Sequence, residues 1–244
     1  MRFLNLVGLV LAGATASNAA TSCAPSSSDA AVLEFAWGLA DFIGGYYNST
    51  VDSNFPSNSR NATVLGYKKI LSGLSNQNTL SVEAIDKASS SLSGFQEPQC
   101  SFTYPQVNTT AAWAYYAYQF ESTVTGAFIA LAGYTQSPEV SFLMARLAAE
   151  HNGHATFIGS RVNSTLFADN ATSLVSAYGP NQVISNRNAT GSLGQYLGGC
   201  LTAPSSPCGP LRIGPLDATP SSSAGASSTA SPSSTASSAA KKHH

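Results

Sequence analysis

From Thr110 to about Tyr134 the chain is apolar nearly all round, and Glu121 is its one carboxylate or amine. A helix with no polar face has to be surrounded, so this segment predicts a central helix with other elements packed about it. Its single carboxylate cannot be buried bare and ionised; it must be paired, metal-bound or protonated. A tyrosine or threonine hydroxyl from a neighbouring helix would satisfy it as well as an ion would.

The surrounding elements are legible as further helices. From Asp29, a plausible N-cap, to Tyr47, the apolar residues Val32, Leu33, Phe35, Ala36, Leu39, Phe42, Ile43 and Tyr46 follow the i, i+3, i+4, i+7 spacing of one helix face. A second helix is expected over about 61–74, a shorter piece over 81–92, and a last helix over 138–162, with Pro138 suited to its first turn. Beyond Val162 the pattern fades into Gly, Pro, Asn and Ser, and 164–214 reads as loops and short turns packed on the helices.

Chemistry-bearing groups cluster on the last helix, in Glu150-His151-Asn152-Gly153-His154. Positions three and four apart share a helix face. The apolar stripe Val140, Leu143, Leu147 continues into His151, His154 and Ile158, so the imidazoles extend the core-facing side. They can bind a metal or move a proton, or simply be hydrogen-bonded in the core. On the first helix Glu34, Gly38, Asp41 and Gly45 form a second stripe, either polar or a place of close backbone approach. No phosphate loop, nucleophile elbow or Ser/His/Asp order is visible.

Composition bounds the setting. Met1-Arg2-Phe3-Leu4, a short apolar run and a small-residue end near Ala19-Ala20 read as an export signal over 1–20, too short to span a membrane. The sequons at Asn48, Asn61, Asn108, Asn163, Asn170 and Asn188 predict surface positions and glycosylation in an exported chain. Charged residues are 9% of the chain and the net charge is −1, so no basic stripe is offered to nucleic acid. The four cysteines predict two disulfides in an oxidising compartment. Of the three pairings, Cys23–Cys100 with Cys200–Cys208 is favoured, because the last two lie close together beside Pro and Gly. From Pro215 the chain becomes Ser, Ala, Thr and Pro, a disordered stalk over 215–244, ending in two histidines that read as solvated tail or a weak surface metal site. One folded domain over 21–214 remains.

Four stretches stand out together: Leu33-Glu34-Phe35-Ala36, Cys100-Ser101-Phe102-Thr103-Tyr104-Pro105, Phe120-Glu121-Ser122-Thr123-Val124-Thr125-Gly126-Ala127 and Leu147-Ala148-Ala149-Glu150-His151-Asn152-Gly153-His154-Ala155. In them the chain resembles the secreted fungal ferritin-like proteins of the stress-response and late-sexual-development type. The resemblance implies an all-α, ferritin-like four-helix bundle. Such bundles hold two metal ions with a Glu from each of two helices and a Glu-x-x-His from each of the other two. Here Glu121 keeps the third-helix position and His154 the fourth-helix histidine, but His151 stands where a glutamate is expected. The second helix, read as 61–74, has no acid and no histidine, and the first-helix acid is displaced to Asp41 or Glu34.

Two functions follow from the resemblance. One is an exported, glycosylated, non-catalytic protein that meets cell-wall or cell-surface components and carries a degenerate metal site. The other is a metal-binding protein or metal-dependent oxidoreductase using a single Fe, Mn or Zn ion on Glu121, His151 and His154, with Glu150 or Asp41 helping. A host-interacting exported effector is a third reading for which no residue specifies a target.

Overall fold

The computed structural model describes residues 23–54, 62–162 and 175–208. The expected export signal, the 215–244 stalk with its terminal histidines, and the sequons at Asn61, Asn163 and Asn170 lie outside the described residues. Four long helices, α1 (Ala30–Asn54), α2 (Ala62–Ser89), α3 (Thr110–Leu131) and α4 (Pro138–Val162), are followed by two single turns, α5 (Pro180–Val183) and α6 (Gly194–Leu197). No strand occurs among the described residues. The molecule is a helical bundle, with α1 packed on α2, α3 on α4, and an α1–α3 contact joining the two pairs.

Local chemistry sets the helix starts. Asp29 closes a 3-10 turn before α1; its carboxylate accepts from the Ser26 amide at 2.8 Å and from the Thr135 hydroxyl. It thereby ties the start of α1 to the turn between α3 and α4. Thr109 caps α3 by accepting from the Ala112 amide at 3.1 Å. Ser137 accepts from the Val140 amide at 3.3 Å just before Pro138 opens α4.

α2 is one continuous helix, not the two pieces expected over 61–74 and 81–92. The intervening Ser75-Asn76-Gln77-Asn78-Thr79 is rich in residues that compete with helical hydrogen bonding. It stays helical because tertiary contacts use those side chains: Asn78 is buried and donates through Nδ2 to the Ala40 carbonyl at 3.0 Å.

α3 occupies the centre, packed on α1, α4 and α5. Its aromatic face meets that of α1. Tyr46 stacks on Trp113 with centroids 5.6 Å apart and donates to the Trp113 carbonyl at 2.9 Å. Phe120 sits edge-on to both Phe42 and Tyr46 at 5.0 Å. Burial of such rings is the main driving force for closing the bundle.

The stripe Glu34, Gly38, Asp41, Gly45 on α1 is a line of close approach. Two segments cross it, one outside the helices around 95–104 and one around 195–201 that begins in α6. The Gln96 amide donates to Glu34 at 2.9 Å. Tyr104 donates to the Phe42 carbonyl at 3.0 Å, with its hydroxyl where a Cβ on Gly45 would stand, 2.1 Å from that position. The segments are joined by Thr103 N–H to the Tyr196 carbonyl at 2.9 Å and by a Cys100–Cys200 disulfide. That disulfide corrects both expected pairings. Cys200 is held beside Cys100 by the return of the chain across α1, a long-range relationship that overrides its nearness in sequence to Cys208.

Candidate metal centre

Five side chains from four helices meet in the bundle. Glu121 comes from the middle of α3, His151 and His154 from α4, Tyr47 from α1 and Gln77 from α2. Glu121 and His151 are wholly inaccessible, and His154 nearly so. Tyr47 donates its hydroxyl to Oε1 of Glu121. Nδ1 of His151 lies 2.6 Å from Oε2, and Nδ1 of His154 lies 3.2 Å from Oε1. Nε2 of His154 lies 2.7 Å from Oε1 of Gln77. Both carboxylate oxygens of Glu121 are therefore engaged by protein groups.

The charges follow from this packing. Burial by itself would raise the carboxyl pKa of Glu121, but the charge and hydrogen bond of His151, then those of His154, outweigh it and hold the pKa at about 2. Burial pulls the His154 pKa down, and the Glu121 hydrogen bond and the charges of Glu121 and Glu150 more than reverse that, for a net rise. As an imidazolium, His154 donates from Nδ1 to Glu121 and from Nε2 to Gln77. Burial and the Glu121 charge push the Tyr47 phenol far up, so it remains a donor. One polar atom is left over: Nε2 of His151 is buried and has no hydrogen-bond partner, and the imidazole packs 5.2 Å from the Phe128 ring.

The other residues expected at this site are not among the three grouped donors. Glu150 turns toward α2, accepting from the Ser81 hydroxyl at 2.8 Å and pairing with Arg146 at 3.2 Å. Asp41 is half-buried, with its pKa raised by burial and by the Glu97 charge, and it also faces Tyr104. Glu34 is bound to the Gln96 amide. Tyr47 and Gln77 are the site residues that the sequence reading missed. Tyr47 sat at the last position of the expected first helix, and the need for a hydroxyl beside Glu121 was its only signal. Gln77 fell in the gap between the two expected halves of α2, where no pattern pointed to it.

A groove of about 560 Å³ between α2 and α4, with Gln77, Ser81, Glu150 and His154 in its walls, connects this cluster to solvent. A family model for the ferritin-like domain matches residues 28–164, the span of α1 to α4. The chain belongs to the ferritin-like domain family. No curated protein and no solved structure matches it.

Ferritin-like bundles that carry two metal ions do so on four carboxylates and two histidines. In this ferritin-like domain the equivalent space holds one carboxylate, two imidazoles, a phenol and an amide, which does not fit a two-metal centre. Glu121, His151 and His154 do bring three donor atoms within 4.8 Å of one another. Two ligands at about 2.0–2.2 Å from one ion stand about 3 Å or more apart. The 2.6 Å contact between His151 and Glu121 is shorter than that. It is a hydrogen bond that has to open before both atoms can share an ion.

Proposed function

We propose that this chain is an exported, glycosylated, non-catalytic protein of the cell surface or wall, of the fungal stress-response and late-sexual-development type, in which the ferritin-like bundle serves as a scaffold. The observation that carries this reading is the state of Glu121. Its two oxygens accept from Tyr47, His151 and His154, so the one carboxylate at the centre is consumed in holding four helices together. The leader-like first residues, the Ser/Thr-rich stalk and the sequons support export. The described sequon asparagines, Asn48, Asn108 and Asn188, are all exposed.

Elemental analysis of protein purified from its native host tests the scaffold reading. The expected result is no stoichiometric Fe, Mn, Cu or Zn; one tightly held equivalent overturns it. Export is tested separately, by N-terminal sequencing of protein recovered from culture medium and wall fractions. An N-terminus near Ala19 or Ala20 is expected, and an intact Met1 in the cell interior refutes it.

A second reading is favoured by the unpartnered Nε2 of His151 and by the groove that reaches His154. Here Glu121, His151 and His154 hold a single divalent ion, with Glu150 at the groove mouth. Such an ion would supply Lewis-acid or redox chemistry when bound. The chain's own part is to orient the imidazoles through Glu121 and Gln77 and to exclude water by burial. Titration with Mn²⁺ or Zn²⁺ distinguishes the readings: saturable one-to-one binding lost in both Glu121→Gln and His154→Ala supports the ion, and binding indifferent to both refutes it.

A further inference from the structure

On the outer side of α3, away from the Glu121 cluster, a cleft of about 420 Å³ opens between the helix and the 188–196 loop. Its aromatic walls are Tyr115, Tyr116 and Phe120 from α3 and Tyr196 from α6. Tyr115 is 50% exposed, so one ring lies open to solvent. The amides of Gln119 and Gln195 also line the cleft, and no charged side chain does. Rings that offer an apolar face, together with neutral donors and acceptors, suit a ligand with a C–H face and a rim of hydroxyls. A neutral sugar has that chemistry, and the cleft volume is in the range of small-ligand sites.

The rim of the same cleft holds Asn188 and Thr190, the first and third residues of a glycosylation sequon, both exposed. The loop that carries them is tied down. Leu193 N–H donates to the Val183 carbonyl at 2.7 Å, Ser192 to the Gln182 carbonyl at 3.1 Å, and Gln182 Nε2 to the Thr190 carbonyl at 3.1 Å. A group attached to Asn188 is therefore presented over the tyrosines from a fixed base.

We propose that the cleft binds the first sugars of an N-linked glycan on Asn188, stacked against Tyr115 and Tyr116. In the modification, Nδ2 of Asn188 forms a bond to C1 of the sugar of a lipid-pyrophosphate-linked oligosaccharide. The lipid pyrophosphate leaves, and the amide gives up one proton. A tethered sugar meets the cleft at high effective concentration, so individually weak contacts suffice to hold it. Docked there, the glycan covers the open ring of Tyr115 and braces the 188–196 loop against α3. The inference rests on passage through a glycosylating secretory route.

The test uses the full chain secreted from a eukaryotic host behind a foreign leader, so that the native leader is not at issue. Glycopeptide mass spectrometry should find Asn188 occupied. Asn188→Gln should then lower the thermal midpoint by about 2–4 °C in the otherwise unchanged protein. Thr190→Ala, which removes the sequon but keeps Asn188, should do the same. In a Tyr115→Ala background either change should have a clearly smaller effect, because the open ring of the stacking pair is gone. An unoccupied Asn188, or equal losses with and without Tyr115, overturns the proposal. So does Tyr115-dependent binding of soluble chitohexaose that is unchanged by the presence of the Asn188 glycan, which would assign the cleft to a free saccharide.

Discussion

Nδ1 of His151 lies 2.6 Å from Oε2 of Glu121, with both side chains wholly buried. With the 3.2 Å contact of His154 to the other carboxylate oxygen, this bond ties α4 to α3 at the bundle centre. A carboxylate that accepts a charge-assisted hydrogen bond at 2.6 Å is a structural acceptor first. It can become a ligand only by giving that bond up.

Removing the carboxylate leaves buried donors with nothing to face. Glu121→Ala should cost about 3–5 kcal/mol, the usual penalty for breaking a buried pair from one side. In thermal melts of a domain this size that is a fall of roughly 6–20 °C. A change within a couple of degrees would show that the cluster does not hold the bundle together.

Tyr47→Phe keeps the ring and removes the hydroxyl donor. Glu121 then loses one of its three partners, for a loss of about 1–3 kcal/mol in denaturant titrations. Since the hydroxyl is not needed for packing, near-UV circular dichroism should be almost unchanged. A large spectral change would mean that Tyr47 acts through packing and not through its donor.

The buried cluster makes stability depend on pH from both sides. Glu121 has a folded pKa of about 2, below the ordinary carboxyl value of 4.5, so its contribution is complete above about pH 4.5 and is lost as the pH falls toward 2. His154 has a raised folded pKa, so its contribution is complete below about 6.5 and is lost as the pH rises through the folded value. Urea midpoints should therefore peak between about pH 4.5 and 6.5. His154→Gln should flatten the alkaline side and only weaken the acid side, because His151 still holds the Glu121 carboxyl down; an unaltered alkaline side would sink the assignment.

Cys100 and Cys200 should appear as one linked peptide in a non-reducing digest. Replacing both by alanine should cost about 2–5 kcal/mol in a folding assay, since the bridge closes a long loop. A Cys200–Cys208 peptide from the native protein would contradict the crossing of the two segments over α1.

A methyl group at Gly126 has no room. Its Cβ would stand 2.3 Å from the Ser176 carbonyl oxygen and from the Tyr178 ring, where the Tyr178 amide donates to the Gly126 carbonyl at 2.9 Å. Gly126→Ala should cost about 1–3 kcal/mol by overpacking and speed hydrogen exchange at Tyr178. Unchanged exchange there would show that the 176–178 segment does not pack on α3.

Much of the bundle is written in local pattern. The apolar periodicity of α1, the unbroken apolar surface of α3 and the Pro138 start of α4 each depend on residues within a few turns of one another, and the helices lie where those patterns put them. So do Glu121, His151 and His154 as a group, because one lone carboxylate and two core-facing imidazoles have few ways to be satisfied. Local pattern could not decide what satisfies them. Tyr47 and Gln77 reach Glu121 and His154 only after α1 and α2 have packed, and the polar run around Asn78 stays helical only because Ala40 waits for its amide. Cys200 likewise finds Cys100 through two segments that meet on α1. Each of these is a contact between residues remote in sequence, whose energy exists only in the assembled core. The sequence by itself determined α1, α3 and α4 and the charge that needed a partner; the tertiary structure made α2 one helix and chose the partners.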